Sequence, residues 1–245
     1  MRIRVCGVVL GCLVFAGSIS AQQTGAFSRK NTWTVFAEYS NTSSHIVAGA
    51  ARQRKLADLG FAYTRRVVRF WGTDLSYQAE LRPVMFESDP LQINRYQFTP
   101  SGISLPSPAS EIQTATVVSP CQPGSGKSIF PGGTETYNTT CGRQWTFGEG
   151  FSPVGFKYSM RTRHKIQPFL IGTLGYMYTS RPVPVSDAES FNFLIDVGAG
   201  VEVFRSKTKS IAVECRVHHF SNWDTAQDNP GTDNVMYKVS YSFGK

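Results

Sequence analysis

The sequence predicts an all-β protein, an eight-stranded antiparallel outer-membrane β-barrel. Three observations carry that expectation. Segments of strict apolar/polar alternation recur along the chain, each about as long as a tilted membrane strand. Their polar faces carry charges of both signs, while their apolar faces are rich in aromatics. No run of eighteen or more apolar residues follows the N-terminal stretch, so no helical span is expected, and barrel strands escape that criterion because their apolar residues alternate. The 245 residues are 17% charged and 13% aromatic. That size suits one barrel domain.

Residues 1–21 have the order of a secretory leader: Arg2 and Arg4, then apolar Val5–Ala16, then small residues ending at Ala21. Residues 22–245 are expected to form the single barrel domain. Export ahead of a barrel pattern points to a Gram-negative outer membrane. The formal net charge is +8, and loss of the leader leaves about +6. Most of that charge falls in turns and loops, and no nucleic-acid motif uses it. A basic surface also suits the anionic phosphates of lipopolysaccharide.

The expected strands are Trp33–Ser40, Leu56–Thr64, Thr73–Arg82, Val154–Met160, Gln167–Thr179, Phe191–Val203, Ile211–Ser221 and Asn234–Phe243. Thr73–Arg82 alternates most strictly. Basic turns are expected at Arg65-Arg66, Arg161–Lys165 and Arg205–Lys209. Pro83 breaks the pattern, and residues 84–151 read as a long surface loop insert between the third and fourth strands, rich in proline and glycine. Gly124–Ser128 has the look of a phosphate loop, but it lacks the required first glycine and a strand–helix context. A barrel of eight strands is just wide enough for side chains to fill. Inward Glu38, Asp58, Asp74, Glu80, Arg82, Lys157, Asp196, Glu202, Glu214, Arg216 and Lys238 therefore suggest a salt-bridged interior and not a pore. A soluble barrel with apolar residues inside is the mirror reading, since parity alone fits both.

Cys6 and Cys12 lie in the leader. Cys121 and Cys141 lie in the insert, where a disulfide is plausible in an oxidising compartment. Cys215 reads as a small apolar residue on a lipid-facing strand.

The functional signal is concentrated in Val213–Asn234. His219 and Ser221 share a strand face with Ile211, Val213, Cys215 and Val217, all apolar. A His and a Ser at the end of a lipid-facing stripe, with Asp233 at matching parity on the next strand, supply the groups of a serine hydrolase. A His-x-Ser pair alone is usually incidental, and it is the parity and the carboxylate that lift this one. His218 faces the lumen. His45 falls in the first outer loop, where a solvated histidine is the default. No metal-ligand spacing is present, and no cofactor is expected.

His219-Phe220-Ser221-Asn222, followed by Asn229-Pro230-Gly231, resembles the lipid A 3-O-deacylase (PagL) family, also described as acyloxyacyl hydrolase-like. The resemblance implies an eight-stranded outer-membrane barrel that removes the ester-linked acyl chain at position 3 of lipid A. It implies Ser221 as nucleophile, His219 as general base, and Asn222 as an oxyanion-stabilising or site-ordering residue. The family's acid is a Glu twelve positions after the Ser, where this chain has Asp233, shorter by one methylene. Trp223 stands where a small residue is expected. The implied partners are lipid A or lipopolysaccharide in the outer leaflet and the membrane itself. A homodimer is compatible with a barrel of this size. The competing expectations are a non-catalytic structural barrel and a hydrolase of another lipid ester.

Overall fold

The computed structural model describes residues 27–101 and 112–245. The leader expected over residues 1–21 lies outside the described residues. Among the described residues ten strands follow one another: β1 Asn31–Ser40, β2 Lys55–Phe70, β3 Thr73–Pro100, β4 Ile112–Val118, β5 Gly124–Phe130, β6 Gly133–Ser159, β7 Ile166–Val183, β8 Glu189–Phe204, β9 Lys209–Ser221 and β10 Thr232–Gly244. Eight of them close a barrel in the order β3-β2-β1-β10-β9-β8-β7-β6, with β6 pairing back to β3. All the pairings are antiparallel. Full closure removes the free edges of an open sheet.

The insert between the third and fourth barrel strands is built differently from the irregular loop expected for residues 84–151. β3 and β6 run on past the barrel and stay paired to each other out to Pro100↔Gly133. β4 adds to the free side of β3 and β5 to that of β6, giving a small outer sheet. Pro83 does not end its strand, and neither does Pro153. Each sits at a register shift, one between Arg82 and Met85 and one between Phe151 and Val154. A bulge releases a residue from ladder pairing, so a proline without an N–H is tolerated there and the strand continues. Cys121 and Cys141 are joined by a disulfide that ties the β4–β5 connection to β6, with Cα atoms 5.6 Å apart.

A second difference is the turn expected at Arg65-Arg66. β2 continues through both arginines, and the chain reverses at Trp71-Gly72, with φ of 46° and 81°. Positive φ at both central residues gives a turn whose twist matches the flanking strands.

Alternation sorts the two faces as expected. The outer wall carries exposed Val35, Leu59, Leu81, Leu170, Leu174, Val197, Val213 and Val239. Aromatics border this belt at one end (Trp33, Tyr63, Tyr158, Phe243) and at the other (Tyr39, Phe86, Phe147, Tyr237). An apolar belt between two aromatic girdles is the outside of a membrane barrel.

The lumen is filled. Midway along it, Arg82 donates to Glu38 at 2.8 Å, Glu80 at 2.8 Å, Asp196 at 2.9 Å and Ser152 at 3.1 Å. Lys238 reaches Glu80 at 2.8 Å. His218 Nδ1 lies 2.7 Å from Asp196. Above this charged layer, Met85, Met177, Val183, Leu194 and Phe220 form an apolar plug at the outer end. At the opposite end the N-terminal segment crosses the barrel mouth, with Arg29 paired to Glu202 and stacked over Phe204. Buried charges require partners of opposite sign, and Arg82, Arg216 and Lys238 supply them to Glu38, Glu80 and Asp196.

Candidate active site

The site forms where β9 ends and β10 begins. β9 turns Ala212, Glu214, Arg216, His218 and Phe220 inward, all buried, and leaves Ile211, Val213, Cys215, Val217, His219 and Ser221 on the outer wall. Phe220 enters the apolar plug, which anchors the backbone of the two residues flanking it.

His219 and Asp233 are directly paired across the β9–β10 ladder. Paired residues place their Cβ atoms about 5 Å apart, a span a short carboxylate can bridge. His219 Nδ1 lies 2.6 Å from Asp233 Oδ1. The missing methylene of Asp relative to Glu is therefore no obstacle to contact. Asp233 is fully buried and the His219 side chain is 14% exposed. Ser221 lies two residues beyond His219 on the same face and pairs with Phe193 of β8. Among the described residues no hydrogen bond yet joins Ser221 Oγ to the His219 ring. Such bonds often tighten only when substrate is bound.

Asp233 is held from its other side by the first outer loop. Its Oδ2 accepts backbone N–H groups from Ile46 at 2.9 Å, Val47 at 2.6 Å, Ala48 at 3.1 Å and Gly49 at 2.9 Å. A concavity of successive N–H groups favours an anion, and an acceptor-only carboxylate fits it. The loop is pinned by bridges Ser43↔Asn234 and Ala51↔Thr232, and by Ala50 and Ala51 N–H groups donating to Pro230 and Gly231 carbonyls. Within the loop, His45 Nδ1 lies 2.9 Å from the Gly49 carbonyl. The sequence reading missed these backbone donors. The small-residue run Ala48-Gly49-Ala50-Ala51 was the one signal that a chain segment passes close to something.

Asn222 is buried and committed to the following loop. Its Nδ2 donates to the Asp228 carbonyl at 2.9 Å, and its Oδ1 accepts from the Asp224 N–H at 3.0 Å. These contacts fit the site-ordering alternative and occupy the side-chain oxygen. Trp223 and Asp224 both have φ of 57°, a left-handed geometry uncommon outside glycine. Asn229 braces it, accepting from Asn222 N–H and donating to Asp224 Oδ1. Trp223 is 71% exposed and packs edge-on against Phe193, beside Ser221. Gly231 has φ of +54°, and a Cβ there would lie 3.3 Å from His219 Cε1. The Asn229-Pro230-Gly231 stretch thus braces one turn, accepts the first loop and leaves room for the imidazole.

Among the described residues no group of His, Cys, Asp or Glu is arranged to hold a metal ion. The fold and the site together define an integral β-barrel of outer-membrane type, with a His–carboxylate pair and a serine on its lipid-facing wall. The family model for lipid A 3-O-deacylase (PagL) matches residues 124–242 of the chain. That stretch holds β5 to β9 and most of β10, with His219, Ser221 and Asp233. A solved structure described as the outer membrane enzyme PagL is similar in fold at 14% identity, with a TM-score of 0.51, covering 86% of this chain and 99% of the other. A COG4313 outer membrane channel from Pseudomonas putida F1 covers 93% of this chain at 9% identity, with a TM-score of 0.26. No curated protein matches the chain.

Proposed function

We propose that this protein is an outer-membrane serine esterase that hydrolyses an ester-linked acyl chain of lipid A, the chain at position 3. The observation that carries the reading is the 2.6 Å contact between His219 Nδ1 and Asp233 Oδ1, on the wall that also presents Ser221. The match to the lipid A 3-O-deacylase family model supports lipid A deacylation, and the placement at the outer end of the barrel suits an ester near the headgroups of the outer leaflet.

The chemistry is acyl transfer. Asp233 holds the imidazole with Nδ1–H towards the carboxylate, leaving Nε2 as the base. Nε2 takes the Ser221 proton as Oγ attacks the ester carbonyl. The tetrahedral intermediate collapses, the ester C–O bond breaks, and the His219 proton passes to the departing sugar hydroxyl. Water then attacks the acyl-serine, His219 accepts its proton, and the free fatty acid leaves with Ser221 restored. Asn222 acts in this scheme by ordering the loop after Ser221. Protonation of His219 is stabilised by Asp233 throughout.

Lipid A mass spectrometry tests the reading. The chain is expressed in an outer membrane beside a Ser221→Ala control. Loss of one hydroxyacyl chain with the wild type alone is the expected result. Unchanged lipid A from both, with both folded in the membrane, overturns the assignment.

A further inference from the structure

We infer that the first outer loop, Ile46–Gly49, is a positioning element of the hydrolytic site, and that Gly49 is the residue that lets it act; the inference rests on the esterase reading above. Asp233 has two oxygens with separate duties. Oδ1 faces His219 at 2.6 Å. Oδ2 is gripped by four consecutive backbone N–H groups. With Oδ2 fixed, the carboxylate plane is fixed, and Oδ1 has one direction left to point. A carboxylate on a strand end would otherwise rotate freely about its χ angles. The loop replaces that freedom with a set geometry before substrate arrives, which is where preorganisation contributes to catalysis.

Side chains of the loop do not make this contact, so its composition is nearly free except at one position. A Cβ on Gly49 would lie 2.5 Å from the Asp233 backbone nitrogen, 2.7 Å from the Thr232 carbonyl carbon and 2.8 Å from Asp233 Cγ. Two of these are backbone atoms of a paired strand, which cannot swing aside as a side chain would. The loop must lift to accept any larger residue, and lifting it withdraws the donors. His45 bonded to the Gly49 carbonyl and Ser43 bonded to the Ala51 carbonyl at 2.8 Å hold the loop in its seated form. The pairing explains how a short acid serves here: the register supplies the reach and the loop supplies the aim.

The experiment reads the His219 Nδ1 proton by NMR in detergent micelles, beside acyl release. A proton shared between imidazole and a well-aimed carboxylate resonates far downfield, and the signal needs no turnover. Gly49→Ala is expected to lose or shift that resonance, and to lower kcat at least tenfold with KM unchanged. Ala48→Pro removes one N–H donor and adds no atom at the Gly49 contact, and it is expected to change the signal in the same direction. Thr42→Ala, in the same loop but outside the grip, keeps it. Gly49→Ala combined with Asp233→Ala is expected to be no slower than Asp233→Ala alone, since both act through one group. Folded Gly49→Ala and Ala48→Pro proteins with the wild-type resonance overturn the inference. A wild type that releases no acyl chain sinks the esterase reading instead, and the resonance still decides whether the loop aims Asp233.

Discussion

Arg216 and Glu80 meet across the barrel lumen in a two-pronged contact, Nη1 to Oε2 at 2.9 Å and Nη2 to Oε1 at 3.1 Å. Both side chains are fully buried. Glu214 also reaches Arg216, and Lys238 also reaches Glu80. Removing one member of such a network leaves a buried charge uncompensated, at a cost of about 3–5 kcal/mol. Arg216→Met is therefore expected to lower the free energy of unfolding, read from a urea titration, by that amount. Glu80→Gln, which keeps shape but not charge, is expected to fall in the same range, because it takes from Lys238 its ion-pair partner and from Arg82 and Arg216 one of theirs. The paired change to apolar residues is expected to be milder than either single change.

His219→Asn removes the proposed base while keeping a side chain of similar width. Acyl release is expected to fall about a thousandfold or more, with the barrel still heat-modifiable on a gel. A drop of less than tenfold would mean that another group takes the Ser221 proton.

Asp233→Asn retains size and loses charge. The expected effect is a fall in kcat of about a hundredfold to ten-thousandfold with little change in KM. Asp233→Glu is the more informative variant. His219 and Asp233 are register partners, so an added methylene pushes the carboxylate out of the four-donor grip. Its expected kcat is at least about tenfold below wild type. Equal rates for Asp and Glu would show that the grip tolerates either length.

Gly231→Ala acts on both stability and chemistry. Its φ of +54° strains any L side chain, and the new Cβ sits 3.3 Å from His219 Cε1. The backbone cost is about 1–2 kcal/mol. Kinetics on the folded fraction are expected to show a lower kcat, because the imidazole is displaced from its contact with Asp233.

Reducing Cys121–Cys141 is expected to loosen the outer sheet alone. The closed loop spans a sequence separation of 20, for which loop-closure entropy is about 3 kcal/mol. Limited proteolysis is expected to gain cuts near residues 119–123 in the reduced protein. Acyl release is expected to stay within about twofold of the oxidised protein. Loss of activity on reduction would couple the outer sheet to the site.

The sequence carried much of this. The parity of β9 was legible because strand alternation is strict, and it placed His219 and Ser221 outside and His218 inside. Register parity also chose Asp233 among the carboxylates nearby. The charged lumen followed from barrel width and the mixed signs of inward residues. The long reach of β3 and β6 was hidden, because Pro83 and Pro153 look like strand ends unless the bulges that absorb them are known. The grip on Asp233 was hidden for a deeper reason. Its donors are peptide N–H groups, present in every residue but proline, so the loop that supplies them bears no chemical mark. Only Gly49 betrays it, and a single glycine in a loop is seldom informative.

The lumen is closed by the plug around Phe220 above and by the Phe27–Lys30 segment below, while the site stands on the outside wall. In the esterase reading the barrel is a post and not a passage. Turnover then needs no gate: the substrate drifts in sideways within its own leaflet, and both products return to that leaflet without ever entering the protein. The outer sheet rises from the β3–β6 seam, four strands around the ring from the β9–β10 corner in either direction. The molecule thus has a tall back and a front level with the lipid, and in that reading its rate would answer to the fluidity of the membrane as much as to its own chemistry.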